Sequence, residues 1–104
     1  MSRAYDCALT LALPAALEEE VLDYLLSHPE WTDGFSVAHE EGFGKGATLV
    51  TTMEKVRGRA RRSVVTVLME QQCLAPLLQG LQQEFPTPDI CWWTVPLTGF
   101  GRFA

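Results

Sequence analysis

Two groups of residues in this sequence have the types and spacing to hold an anion. Gly42-Phe43-Gly44-Lys45-Gly46 places three glycines and a lysine in five positions. Glycine tolerates left-handed backbone angles and close approach, so its N–H groups can converge on a negative group. Lys45 would add a point charge. The spacing is not that of a GxxxxGK[ST] phosphate loop, and a plain surface turn is the competing reading. The second group is Arg57, Arg59, Arg61 and Arg62. On an extended chain the first three share one face and Arg62 takes the other. The planar guanidinium suits phosphate and carboxylate. It would equally suit the carboxylates of the acidic first helix on a neighbouring subunit. No aromatic residue interleaves with these arginines, which argues against a nucleic-acid platform.

Other residue types point to weaker chemistry. Cys7, His28, His39, Cys73 and Cys91 are zinc or copper donors by type, but none lies in a recognised ligand spacing. Cys7 and Cys91 fall in strand-like segments and read as small buried fillers. His39 with Glu40 and Glu41, at the foot of the glycine stretch, is the candidate donor set for a divalent metal. No Ser-His-Asp or Cys-His arrangement can be placed, and Glu18, Glu19 and Glu20 read as a solvated helix face. A non-enzymatic protein is the expectation.

The whole-chain totals narrow the class. The 104 residues suffice for one domain, spanning 1–104, and apolar residues at 47 % supply one core. The net charge of −5 argues against general nucleic-acid binding, but the charges are segregated. Eight acids and no base lie from Pro14 to Glu41, and six bases with one acid lie from Lys45 to Arg62. No apolar run approaches the roughly eighteen residues of a membrane span. No secretory leader is visible, and three widely spaced cysteines do not form a disulfide framework. A reduced, cytoplasmic setting is expected, with no direct membrane insertion.

The elements that must position these residues are legible from periodicity. Asp6 to Leu13 alternates as a strand, with Cys7, Leu9, Leu11 and Leu13 on one face. Pro14 is expected to open a helix, with three glutamates favoured by the helix dipole and Leu17, Val21 and Leu25 on its apolar side. Ser27-His28-Pro29 ends it. Phe35 to about Glu40 reads as a second strand, and the stretch 42–56 as a long loop. Gly58 to Met69 is the clearest strand, apolar on both faces from Ser63 onward. Gln72 to Phe85 shows helical spacing at Leu74, Leu77, Leu78 and Leu81. Ile90 to about Leu97 is the last strand, with Trp92 and Trp93 on opposite faces and Pro96 marking an edge or bulge. The order β-α-β-β-α-β is that of a ferredoxin-like α+β fold, with two helices on one face of a four-stranded antiparallel sheet. An irregular α+β domain with another strand order is the alternative. The face away from the helices should be polar if it meets water. Here it carries valines, alanines and a tryptophan, so a subunit contact is expected.

With the glycine stretch after the second strand, and Arg57-Gly58-Arg59-Ala60-Arg61-Arg62 before the valine strand, the chain resembles PII-like signalling proteins from Cys7 to Gly101. It looks like a small branch often encoded near heavy-metal efflux systems, rather than a nitrogen-regulatory PII protein. The resemblance implies a cytoplasmic homotrimer with inward-facing sheets. It implies ligand sites between subunits at the base of the long loop, an adenine nucleotide or divalent metal as ligand, and a membrane transporter or other regulated protein as the loop's partner. Gly42, Phe43, Gly44, Lys45 and Gly46 match the loop base. Arg57 and Arg59 lie on its return, and Arg102 loosely matches C-terminal arginines that contact phosphate. The nitrogen-regulatory proteins carry a second glycine-rich nucleotide loop, and here that place holds Phe85-Pro86-Thr87-Pro88-Asp89. They also carry a modified tyrosine in the long loop, which has no equivalent here. A ligand-independent interaction adaptor, linked to metal efflux, is the alternative function.

Overall fold

The computed structural model describes residues 5–43 and 59–104. The elements are β1 (Cys7–Pro14), a 3-10 turn (Ala15–Leu17), α1 (Glu18–Leu26), β2 (Phe35–Phe43), β3 (Arg59–Met69), a second 3-10 turn (Gln71–Cys73), α2 (Leu74–Glu84) and β4 (Cys91–Pro96). The strands form one sheet in the order β2-β3-β1-β4, with every neighbouring pair antiparallel. This is the ferredoxin-like α+β arrangement that the alternation and helical spacing predict, with the long connection between the second and third strands.

Odd-numbered residues of β1 and β3 face the helices. Leu9 lies opposite Val67, Leu11 opposite Val65, and Cys7 opposite Met69. All of these are buried, together with Val21 and Leu25 of α1 and Leu77 and Leu81 of α2. Burying a side chain of this size stabilises the fold by about 1.5–3 kcal/mol relative to exposure. Leu17 packs against the same core as Leu77, so both helices lie on one side. The end of α1 is sealed by Thr32, whose buried hydroxyl donates to the Leu25 carbonyl at 3.0 Å and thereby satisfies a helix-terminal acceptor. The helices approach closely at Gly80, where an added methyl group would overlap the Tyr24 hydroxyl.

Three boundaries differ from the sequence reading. Pro14 ends β1 in extended geometry (φ −60°, ψ 140°), and the helix proper starts only after the 3-10 turn. Its fixed φ fits the extended conformation as well as a helix start. β2 runs on through Gly42 and Phe43, which pair with Ala60 and Arg59, so the first two residues of the glycine stretch belong to the sheet. α2 starts at Leu74, after the 3-10 turn Gln71–Cys73, rather than at Gln72, and Pro76 lies in its first turn, where no intrahelical N–H is needed.

The open face carries the even-numbered residues of β1, including Thr10 and Ala12, and those of β3, including Val64, Thr66 and Leu68. From β4 it takes Cys91, Trp93 and Val95, because Thr10 lies opposite Trp93 and Leu11 opposite Trp92. Trp93 and Val95 are each about half exposed, at 49 % and 51 %. Cys91 is exposed on this face, which corrects its reading as a buried filler, whereas Cys7 is buried as expected. The tail after β4 is tied back by the Leu97 N–H donating to the Asp6 carbonyl at 3.0 Å.

Leu25→Ala should lower unfolding stability by about 2–5 kcal/mol in urea titration, because it opens a cavity between α1 and the sheet. Exposed Gln83→Ala should change it by less than about 0.5 kcal/mol.

Candidate functional site

The paired ends of β2 and β3 bring opposite charges together. Glu40 lies opposite Arg62 and Glu41 opposite Arg61. Cross-strand pairs of this kind each contribute a few tenths of a kcal/mol, roughly 0.2–1, and fix register more than stability. Beside them a cleft of about 410 Å³ is lined by Ala15, His39, Glu40, Glu41, Arg61 and Arg62. Arg62 is half-buried. Its Nη2 donates to the Asp89 carbonyl at 3.2 Å, while its Nη1 is buried and has no hydrogen-bond partner. A buried guanidinium nitrogen left unpaired is unfavourable, and an oxyanion would relieve it.

A second polar cluster braces this end of the sheet. Ser63 stands on the helix-facing side of β3 in line with Val65, Val67 and Met69, and is fully buried. Its hydroxyl donates to Glu18 Oε1 at 2.6 Å. The same carboxylate oxygen meets His39 Nε2 at 2.5 Å. Glu18 therefore joins the start of α1 to both β2 and β3. Its pKa is lowered by the Ser63 hydrogen bond first and by His39 second, against a smaller opposing effect of burial. The order matters chemically. The carboxylate sits between serine and histidine, so no imidazole is placed to take the serine proton, and the cluster lacks the arrangement of a nucleophilic triad.

The residues predicted from sequence are distributed as follows. Gly42 and Phe43 end β2, and Arg59 begins β3. Gly44, Lys45, Gly46 and Arg57 lie outside the described residues, as does most of the expected 42–56 loop. Arg102 is not brought to the loop base within its own chain. It lines a different cleft with Gly34, Phe35 and Ser36, at the opposite end of β2. His39, Glu40 and Glu41 border one cleft, but consecutive strand residues alternate in direction, so Glu40 points away from the other two. Among the described residues, no group of three or more His, Cys, Asp or Glu side chains is placed to hold a metal ion. Sequence reasoning missed Glu18 and Ser63 as members of this region, and it grouped Arg62 with the other arginines without singling it out. The available signal was Ser63, the one hydroxyl in the otherwise apolar line Ser63, Val65, Val67 and Met69.

Comparison with known proteins bears on this architecture. The model of the family described as "Protein of unknown function (DUF3240)" matches residues 3–104. The chain belongs to the DUF3240 family. A search of curated proteins found no match. Among solved structures, this DUF3240 chain is similar to a DUF3240 family protein from Shewanella baltica. The TM-score is 0.75 and the identity 18 %, over 98 % of this chain and 100 % of that one. It is also similar to CPII from Thiomonas intermedia, a nitrogen regulatory PII-like protein bound to ADP, AMP and bicarbonate. That match has a TM-score of 0.68 and 18 % identity, over 95 % and 98 % of the two chains. CutA1 from Pyrococcus horikoshii matches at a TM-score of 0.70 and 8 % identity, over 93 % and 88 %. At these identities the likeness is one of fold. The DUF3240 chain thus shares the fold of PII-like and CutA1 proteins, the fold that the sequence resemblance implies. Among the described residues no helix is long and apolar enough to cross a membrane.

The lowered Glu18 pKa has a signed consequence. A carboxylate depressed in the folded state contributes stability above its ordinary value of 4.5, and loses it as pH falls through the depressed value. Wild type should therefore melt higher than Glu18→Gln near pH ~7, and the gap should narrow as pH falls toward ~3. Thermal melts across that range check it. A gap that stays constant would mean that the carboxylate's charge is not what braces this corner.

Proposed function

We propose that this DUF3240 protein is a non-enzymatic PII-like regulatory protein. It assembles as a homotrimer through the open sheet face and binds a small anion at the base of the segment 42–56. That segment then engages a protein partner. The observation that carries the reading is Arg62. Its guanidinium sits where β2 and β3 lead into the segment, beside a cleft, with one buried nitrogen unpaired. Phosphate and carboxylate match that fork.

An adenine nucleotide is the ligand class this reading favours, since CPII, of similar fold, holds ADP, AMP and bicarbonate. Gly42 to Gly46 would supply backbone donors, and Lys45, Arg57 and Arg59 charge. Arg102 lies at the other end of its own sheet, so it would join such a cleft only across a subunit boundary. A divalent metal would have to draw on His39 or Glu41, and His39 Nε2 is already engaged by Glu18. The anion is therefore placed ahead of the metal. The half-exposed Trp93 and Val95 support assembly, because apolar surface of this kind is usually covered in a working protein. A reduced cytoplasmic setting and a regulated transporter as partner are consistent with this role.

Titration calorimetry with ADP, AMP and bicarbonate is the direct test. Saturable binding of at least one is expected, weakened about 10-fold or more in Arg62→Ala and less in Arg62→Lys, which keeps charge without the fork. Binding unchanged in both variants would remove Arg62 from the site. No binding of any of the three would favour a ligand-independent adaptor. Light scattering on the free protein should report three chains, and a monomer at micromolar concentration would overturn the assembly claim.

A further inference from the structure

A cavity of about 420 Å³ opens on the helix side of the sheet, between the end of α2 and β4. Its floor is the core itself, through the buried side chains of Leu11, Val21 and Leu81. Phe85, Ile90 and Trp92 wall it, and Gln82 and Thr87 are its polar members. Trp92 stands on the helix side because it lies opposite Leu11. It is 45 % exposed there, a large aromatic side chain left half in water. The turn between α2 and β4 is fixed by two short hydrogen bonds. The Thr87 N–H donates to the Phe85 carbonyl at 2.8 Å, and the Thr87 hydroxyl oxygen accepts from the Asp89 N–H at 3.1 Å. The volume lies in the lower part of the range of about 300–1,000 Å³ that encloses small molecules, so an aromatic ring fits.

The matching feature is Phe103, whose side chain is wholly exposed. After β4 the tail crosses the end of the sheet. The Leu97 N–H donates to the Asp6 carbonyl, and the Phe100 ring packs edge-on against Tyr5 with centroids 4.7 Å apart. Arg102 then lines a cleft with Gly34, Phe35 and Ser36, so the tail delivers Phe103 to the β2 edge of the sheet. The cavity lies at the β4 edge. Those edges are three strand spacings apart, about 14 Å. One residue beyond Arg102 adds at most ~3.6 Å, so Phe103 does not reach the cavity of its own chain. A second copy that sets its β2 edge against this β4 edge does reach it. Charge favours the same placement. Phe85 also borders an acidic cleft formed with Glu20, Asp23 and Glu84. Arg102, beside Phe103, is the one base from Ser63 to Ala104. Opposite potentials of this kind orient two surfaces as they meet.

We propose that Phe103 of one copy fills the apolar cavity beside Trp92 of the next copy. The tail leaves from one edge of the sheet and the cavity opens at the other, so the contact is heterologous. Each chain gives one tail and receives one. Contacts of this kind close into a ring when the rotation between copies allows it. The cavity opens on the helix side, so filling it leaves the open sheet face free to be buried in the same assembly. The tail contact presupposes the homotrimer proposed above and adds the element that orders the chains around it.

Light scattering of the full chain across a dilution series tests it. Wild type should hold as a trimer, and Phe103→Ala should dissociate at a concentration about 10-fold or more higher. Phe103→Leu, which keeps an apolar side chain, should shift that concentration less. Trp92→Ala should weaken the trimer as well. Combining it with Phe103→Ala should add little, because both variants remove one contact. Mixed trimers of isotopically labelled and unlabelled chains locate the contact directly. Nuclear Overhauser effects are expected between the Phe103 ring of an unlabelled chain and the Ile90 methyl groups of a labelled one. A trimer whose dissociation is unchanged in Phe103→Ala would overturn the tail contact and leave the trimer standing. Overhauser effects confined to one chain, or none between Phe103 and the cavity, would overturn it too and leave the cavity to a different occupant. A wild type that is monomeric at micromolar concentration would overturn both the tail contact and the assembly.

Discussion

β1 and β3 pair over eight residues, from Cys7 opposite Met69 to Pro14 opposite Arg62, and the rest of the structure hangs on that register. Both strands send odd-numbered side chains toward the helices. A slip of β1 by one residue would turn Leu9 and Leu11 to the open face and present Ala8, Thr10 and Ala12 to α1 and α2. The core would lose its aliphatic side chains at a stroke. Every other feature inherits this register. It sets Arg62 on the open side and Ser63 on the helix side, and it places β2 so that His39 lies beside Ser63.

The polar brace at Glu18 follows from the same constraint. Ser63 is buried because it continues the line of Val65, Val67 and Met69, and a buried hydroxyl needs a partner. The 3-10 turn after β1 returns the chain over the sheet and delivers Glu18 to it. His39 then finds the same carboxylate from β2. Three elements are thereby tied together next to the strands that lead into the segment 44–58, whose own placement lies outside the described residues. The sheet's two ends differ accordingly. One end is braced and holds the half-buried arginine. The other is covered by a tail held through Tyr5, Phe100 and the Leu97 hydrogen bond to Asp6.

Much of the fold was legible in the sequence because it rests on local patterns. Alternation in Cys7–Leu13 and Ser63–Met69 and the leucine spacing of Leu74–Leu81 each identify an element from a few adjacent residues. The opposite orientation of Trp92 and Trp93 follows from the pleat alone. The candidate site was less legible. Glu18 opens a run of three glutamates and looks like solvated helix surface, yet it bonds a residue 45 positions away. Arg62 stands among four arginines, and only the structure shows its reach to the Asp89 carbonyl. Arg102 was grouped with the loop by family resemblance, whereas the antiparallel pairing of β4 with β1 carries the tail to the other end of the sheet. Such long-range placements have no periodic signature.

The central claim is that an anion is recognised where β2 and β3 lead into the segment 44–58. Backbone amide NMR of the isotopically labelled protein during ADP titration tests this most directly. The account expects saturable shift changes concentrated on His39 to Gly42 and on Arg61 to Ser63, with the amides of α2 little affected. Saturable changes confined to the tail and the start of β2, or the absence of any saturable change, would contradict it.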